Sequence, residues 1–220
     1  MATWIVHLRI AEYFSERINM LDASEFAAGS VAPDCGYGKK DSFGEFTPPP
    51  CITHWTDTGF KTQCNYKDFY NKYLKNSNDN KAYSFYLGYY IHLLADMMWS
   101  ATVYMPTRSR YAEQYAENPE FLKIIKLDWS DQDFKFLRDH PDLKSFRLLK
   151  AKQAVNDYLP YYEPSQLTTQ IRYIVNYYTN NKNDRNLDRN YDYLTENDVT
   201  NFLDCAVWLI ETKLKLLGIL

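Results

Sequence analysis

The segment AYSFYLGYYIHLLADMMWSATVYMPT, residues 82–107, decides the fold. It is apolar or aromatic almost throughout, which predicts a buried helix over residues 81–103. His92 and Asp96 are its only histidine and its only charged side chain. Four residues apart on a helix, they lie on one face. Because an unpaired buried carboxylate is costly, we expect Asp96 to be protonated, paired or bound to a metal ion.

The same segment is long enough to span a bilayer. A histidine and an aspartate in mid-span are costly there, and no basic cluster flanks the segment to set an orientation. The sequence MATWIVHLRIAEYF (1–14) lacks the basic leader and uninterrupted apolar core of a signal peptide. We therefore expect a cytoplasmic protein. The basic stretch at 143–152 fits an anionic lipid surface, but a solvated helix face explains it more simply, so at most peripheral membrane contact is expected.

Composition favours one globular domain over residues 1–220, because 220 residues suffice for one core and no clear linker divides them. The net charge of −3 argues against bulk nucleic-acid binding. The four cysteines form no C-x-x-C pair, and we expect free thiols, with a bridge between Cys35 and Cys51 left open.

Helical periodicity and capping signals dominate, and no segment alternates like a strand. We predict an all-α fold, a compact multi-helix bundle around the helix of His92 and Asp96. Residues 31–63, with four prolines and four glycines, are predicted to be a long irregular loop of functional importance. Helices are predicted near 4–18, from Asp22 to an end at Gly29, at 66–75, 81–103, 108–117, 119–126, from Ser130 to Arg138, at 143–158, 164–178 and after Thr195; residues 180–193 are predicted to form a mobile loop.

Three further residues are candidate metal ligands beside His92 and Asp96: His7 in the first helix, Asp34 after Pro33, and His54 after the proline run. Zinc takes three or four nitrogen, oxygen or sulfur ligands, so five such side chains suit one ion, or two that share a carboxylate. Each also has a structural interpretation. The pair His92 and Asp96 is compatible with a simple imidazole–carboxylate hydrogen bond, and Asp34 with an Asx turn.

Four blocks occur in a fixed order: H7-L-R-I-A11, F26-A-A-G-S-V-A-P-D34, T53-H54-W55 and F85-Y-L-G-Y-Y-I-H92-L-L-A-D96. Through them the first hundred residues resemble the zinc-dependent phospholipase C family, an all-helical group of phosphoesterases. The resemblance implies that Asp34, His54, His92 and Asp96 bind one zinc ion, and that His7 and Asp96 help to bind a second. It further implies phosphoester hydrolysis by a metal-activated water, with Asp34 as its base.

The resemblance also limits the metal content. A third zinc site in that family uses a further histidine and an H-x-x-x-E pair, whereas His140 is followed by Lys144 in the corresponding place. We therefore expect one or two ions, zinc or another divalent metal. Lys39, its neighbour Lys40, and Arg9 are candidate partners for the substrate phosphate.

The predicted substrate is a small phosphoester or a phospholipid. Two alternatives stay open: a phosphomonoesterase or nuclease of the same superfamily, and a catalytically weak, metal-stabilised helical binding domain. The sequence leaves the oligomeric state and the role of residues 107–220 undetermined.

Overall fold

The computed structural model describes residues 1–19, 21–38, 45–180 and 185–220. The α-helices are α1 (Trp4–Ser15), α2 (Ala23–Val31), α3 (Pro50–Thr53), α4 (Tyr66–Phe69), α5 (Asn80–Trp99), α6 (Met105–Arg110), α7 (Ala112–Glu117), α8 (Phe121–Asp139), α9 (Lys144–Ala151), α10 (Gln166–Asn180) and α11 (Glu196–Leu216). Helix α4 continues as a π-helical turn over Tyr70–Leu74, and α5 continues as one over Ser100–Tyr104. Two 3₁₀ turns occupy Ala32–Asp34 and Lys61–Gln63. The all-α prediction is confirmed.

Short strands β1 (Tyr37–Gly38) and β2 (Phe46–Thr47) pair antiparallel, with Tyr37 opposite Thr47. They form the one sheet within the described ranges. The segment predicted to be an irregular loop therefore contains the first 3₁₀ turn, this sheet, α3 and the second 3₁₀ turn. All four cysteines are free. In the part of the chain that the structure describes, no helix combines the length and the apolar character needed to cross a bilayer.

Side-chain caps explain where several helices begin. The Thr3 hydroxyl accepts the backbone N–H of Val6 at the start of α1. Asp22 accepts two N–H groups in the first turn of α2, and Thr195 with Asp198 forms a complete capping box at α11. The helix starts predicted at Asp22 and Thr195 are thus confirmed.

Gly29 does not end α2, which is a correction to the prediction. The helix continues to Val31, and Gly29 faces α5. A Cβ atom added at Gly29 would lie 2.0 Å from the carbonyl oxygen of Phe85, and one at Gly88 would lie 2.2 Å from the carbonyl oxygen of Phe26. Glycine is required at both positions by the close packing of two helix backbones, not by a turn.

Two further helix boundaries were wrongly predicted because polar side chains bond to distant segments. Ser130 and Asp133 were expected to begin a helix but lie inside the continuous α8. The Ser130 hydroxyl is 2.9 Å from that of Tyr177. Helix α9 ends at Ala151 rather than near 158, and Lys152 then adopts an extended backbone and pairs with Glu25 at 2.8 Å.

The predicted loop at 180–193 lies partly outside the described residues, namely at 181–184. Its described part is held by ion pairs to α8. Arg185 contacts Asp131, and Arg189 contacts both Asp128 and Asp131 at 2.7 and 2.9 Å. These contacts connect the segment between α10 and α11 to α8.

Candidate metal centre

Four of the predicted ligands come together although three separate segments supply them. Asp34 ends the first 3₁₀ turn, His54 follows α3, and His92 and Asp96 lie one turn apart in α5. One donor atom from each lies within 4.8 Å of the other three. Their side chains are almost completely buried, at 3% exposure or less. The fold thus concentrates two imidazoles and two carboxylates in one buried pocket.

The distances between these donor atoms match a tetrahedral zinc site. Zinc bonds to nitrogen and oxygen near 2.0–2.1 Å, so two ligands of a tetrahedral ion are about 3.3–3.4 Å apart. The Nε2 atom of His54 lies 3.2 Å from Oδ1 of Asp34, 3.3 Å from Oδ2 of Asp96 and 3.4 Å from Nε2 of His92. The Nε2 atom of His92 lies 3.5 Å from Oδ2 of Asp96. These four of the six donor–donor separations therefore fit one ion.

The second nitrogen of each histidine has a partner that fixes the tautomer. Nδ1 of His92 lies 2.8 Å from the carbonyl oxygen of Ser30 and donates to it. Nδ1 of His54 lies 3.0 Å from the Thr53 hydroxyl and 3.3 Å from the carbonyl oxygen of Pro50. A proton on Nδ1 leaves the lone pair of Nε2 directed at the donor cluster, which is the usual support of metal-binding histidines.

Electrostatics keep His92, Asp34 and Asp96 in the forms that bind a cation. Burial, together with the neighbouring His7, lowers the pKa of His92 to about 4, so the ring is neutral at pH 7. Burial alone would raise the pKa of Asp34, but the hydrogen bond with His54 and the charge of Lys61 hold it well below its usual range. Asp96 is ionised for the same kind of reason, with Lys61 the largest favourable influence.

Asp96 connects the cluster to two other parts of the chain. Its Oδ1 accepts the backbone N–H of Ala2 at 2.7 Å and lies 3.4 Å from Nε2 of His7. Its Oδ2 forms an ion pair with the ammonium group of Lys61. Both carboxylate oxygens are therefore engaged, one toward the start of α1 and one toward the second 3₁₀ turn.

His7 lies beside the four-donor cluster but not within it. Its ring stacks on that of His92, with centroids 3.7 Å apart and planes 11° from parallel. Both ring nitrogens are buried, and neither has a hydrogen-bond partner among the described residues. Together with Oδ1 of Asp96, His7 supplies two donors for a second ion, and the described part of the chain places no third side-chain ligand in the cluster.

With this geometry, comparison with known proteins is informative. The family described as zinc dependent phospholipase C matches residues 6–118, just over half of the chain. The chain belongs to this family. No curated protein and no solved structure matches it. The matched zinc dependent phospholipase C region contains all five predicted ligands, and the cluster of four is a possible metal site of this family member.

Of the predicted phosphate partners, Arg9 is within the described residues, and it is not in the donor cluster. Arg9 lies over the ring of Phe136 at 3.9 Å and lines a separate cavity with residues of α8. Lys39 and Lys40 lie outside the described residues. His140 caps the end of α8 and contacts Phe136. The functional roles of Asp34, Arg9 and Lys39 stay predictions.

Sequence reasoning missed Lys61, the cation nearest to the cluster. Its side chain is 13% exposed, and it lines a cavity of about 480 Å³ beside the donors. Phe60, Tyr104, Arg108, Lys126 and Trp129 also line this cavity. No motif marks Lys61 in G59-F-K-T-Q63, because only the tertiary packing of this turn against α5 brings its ammonium group to Asp96.

Proposed function

We propose that this chain is a metal-dependent hydrolase of phosphoester bonds, similar in chemistry to a phospholipase C. The observation that carries the proposal is the set of four buried donors, together with a cavity whose lining includes Lys61, the ion-pair partner of Asp96. The donor set fits zinc, because it combines imidazole nitrogens with ionised carboxylates. Membership of the zinc dependent phospholipase C family supports the reaction class.

A zinc ion in this site would supply Lewis acidity that polarises a phosphoryl oxygen and makes water easier to deprotonate near pH 7. The chain's own residues do the remaining work. Ser30 and Thr53 hold the two imidazole rings in one orientation through their Nδ1 atoms. Asp34 stays ionised and would orient the attacking water or accept its proton.

Residues outside the donor set would hold the substrate and limit access of water. The cavity beside the donors is lined by cationic and apolar groups, among them Lys61 and Trp129. Such a lining suits an ester that joins a phosphoryl group to an apolar or aromatic group. Trp129 is almost completely buried and would form part of the fixed wall.

The test combines metal content with turnover. Protein purified without chelator should contain zinc and hydrolyse bis-p-nitrophenyl phosphate. His92→Ala should lose both zinc and activity, because it removes one of four ligands. Asp34→Asn should lower activity strongly, by about a hundredfold or more. His140→Ala is the matched control, since it changes a histidine far from the donor cluster and should change neither quantity.

The outcomes separate the alternatives. Full zinc content without turnover of any phosphoester would contradict the proposal and favour a metal-stabilised binding domain. Turnover that survives in His92→Ala would show that the reaction occurs elsewhere. Absence of zinc from wild-type protein, even after zinc is added, would remove the basis of the site itself.

A further inference from the structure

The cavity beside the donor cluster has an unusual balance of charge. Three cationic side chains line it, Lys61, Lys126 and Arg108. No aspartate or glutamate is among the lining residues that the structure describes. The nearest carboxylates, Asp34 and Asp96, belong to the donor cluster, where a bound zinc ion would offset their charge. A ligand in this cavity therefore meets positive charge.

The three cations differ in how far they are already neutralised. Lys61 pairs with Asp96, and Arg108 donates to the Tyr104 hydroxyl at 3.0 Å. Lys126 has neither an ion-pair nor a hydrogen-bond partner among the described residues. Lys126 is an exposed residue of α8, yet its ammonium group is partly desolvated, which lowers its pKa, while the charge of Asp34 opposes this.

An unpartnered lysine beside a catalytic site is a recognition element for an anion. A partly desolvated ammonium group gains more from a new charged hydrogen bond than a fully hydrated one does. Conversely, a quaternary ammonium head group needs a carboxylate or an aromatic cage. Aromatic rings are present here in Phe60 and Tyr104, but the cations beside them oppose a positively charged group.

We propose that Lys126, together with Lys61, makes this cavity selective for phosphoesters that carry further negative charge, and selective against esters with a quaternary ammonium group. This inference rests on the proposed function for the reaction, but the selectivity can be measured separately. Lys126 is a specificity residue here, because it lies in the cavity and contacts none of the four donors.

The experiment compares three substrates that release the same p-nitrophenolate. These are p-nitrophenyl phosphate (a dianion), bis-p-nitrophenyl phosphate (a monoanion) and p-nitrophenyl phosphorylcholine (a zwitterion). Because each protein variant meets the same substrates, intrinsic reactivity cancels when the ratio of kcat/KM values is compared between variants. Wild-type protein should disfavour the choline ester relative to the diester.

Lys126→Glu should shift the kcat/KM ratio toward the choline ester by about tenfold or more, and Lys126→Met should shift it by less. Zinc content should stay unchanged in both variants. Lys150→Glu is the matched control, because it reverses a charge on exposed α9 away from the cavity and should leave the ratio unchanged. Lys61 is unsuitable for this test, since its removal also strips Asp96 of its partner.

A binding measurement distinguishes failure of this inference from failure of the proposed function. Calorimetry on zinc-loaded protein should show tighter binding of inorganic phosphate than of phosphorylcholine, with the preference lost in Lys126→Glu. That preference without turnover would leave the selectivity standing and contradict the hydrolase. Tighter binding or faster turnover of the choline compound by wild-type protein would overturn the inference, as would an unchanged preference in Lys126→Glu.

Discussion

Nδ1 of His92 donates a 2.8 Å hydrogen bond to the carbonyl oxygen of Ser30, so the ligand helix α5 is held directly by the backbone of α2. Two glycines make this contact possible. Gly29 precedes Ser30, and Gly88 lies one turn before His92. At both positions a Cβ atom would overlap the backbone of the other helix. The orientation of His92, a candidate metal ligand, therefore depends on two residues that have no side chain.

Gly88→Ala should lower both stability and zinc affinity. The added methyl group has to push α2 and α5 apart, because the atom in its way belongs to the backbone of Phe26. Overpacking of this kind costs about 1–3 kcal/mol or more in the free energy of unfolding. The loss of the Ser30 contact should weaken zinc binding by about tenfold or more. Urea unfolding and a zinc competition titration measure the two effects.

Gly38→Ala is the control for that substitution. A Cβ atom there would meet the ring of Phe46 at 3.8 Å, an ordinary contact distance. It should leave zinc affinity unchanged. Equal effects of the two substitutions would show that close packing of α2 and α5 does not position His92.

Lys61→Met should affect the metal-free protein and the zinc-loaded protein differently. Without metal, the substitution leaves the buried Asp96 without its ion-pair partner, which costs about 3–5 kcal/mol. With zinc bound, the metal ion neutralises Asp96, and the substitution removes the repulsion between zinc and the Lys61 ammonium group. Thermal unfolding with excess chelator should therefore show a large loss, and unfolding with excess zinc a small one. An equal loss in both conditions would contradict this account.

Chelation should destabilise the wild-type protein by several degrees in Tm. An ion that binds the folded state alone, at a free concentration a thousandfold above its Kd, adds about 4 kcal/mol to the free energy of unfolding. His92→Ala should show no such dependence on chelator. A wild-type Tm that is the same with and without chelator would mean that the four donors hold no tightly bound ion.

Asp133 gives the fold a pH dependence independent of the donor cluster. Burial raises the pKa of Asp133 to about 7, although the hydrogen bonds that Thr3 and Tyr178 donate to it act to lower this pKa. The folded state thus favours the protonated carboxyl, whose usual pKa is about 3.9. Its contribution to stability is fully present below that value and is lost as the pH rises through 7. The whole change is about 4 kcal/mol at 1.36 kcal/mol per pKa unit.

Asp133→Asn should remove this dependence. In chelator, the stability of the variant relative to wild type should increase between pH 5 and pH 8, because only the wild type has to bury a charge at the higher pH. Urea unfolding at both pH values measures the difference, and other titrating groups cancel in it. A difference between the two proteins that does not change with pH would show that Asp133 does not titrate in this range.

Much of the fold follows from local signals. The long apolar segment became α5, and the caps at Asp22 and Thr195 start helices as predicted. Local signals do not show when a residue contacts a segment that is distant in the sequence. From the local sequence, Gly29 resembles a helix end and Ser130 resembles a helix start. Their contacts with Phe85 and Tyr177 explain why each lies inside a helix instead.

In the donor cluster and its cavity, too, local motifs identify some residues and leave others unidentified. The residues Asp34, His54, His92 and Asp96 could be predicted because their motifs are local and occur in a recognisable order. Lys61 and Lys126 could not, since neither belongs to a motif and each reaches the cavity through the packing of its element. Sequence reasoning instead favoured Arg9, whose guanidinium group packs on Phe136.

The most direct test of the central claim is a crystal structure of the zinc-loaded protein with data collected at the zinc absorption edge. We expect an anomalous peak at about 2.0–2.1 Å from Oδ1 of Asp34, Nε2 of His54, Nε2 of His92 and Oδ2 of Asp96. A zinc ion bound to other residues, or no anomalous peak among these four atoms, would contradict it.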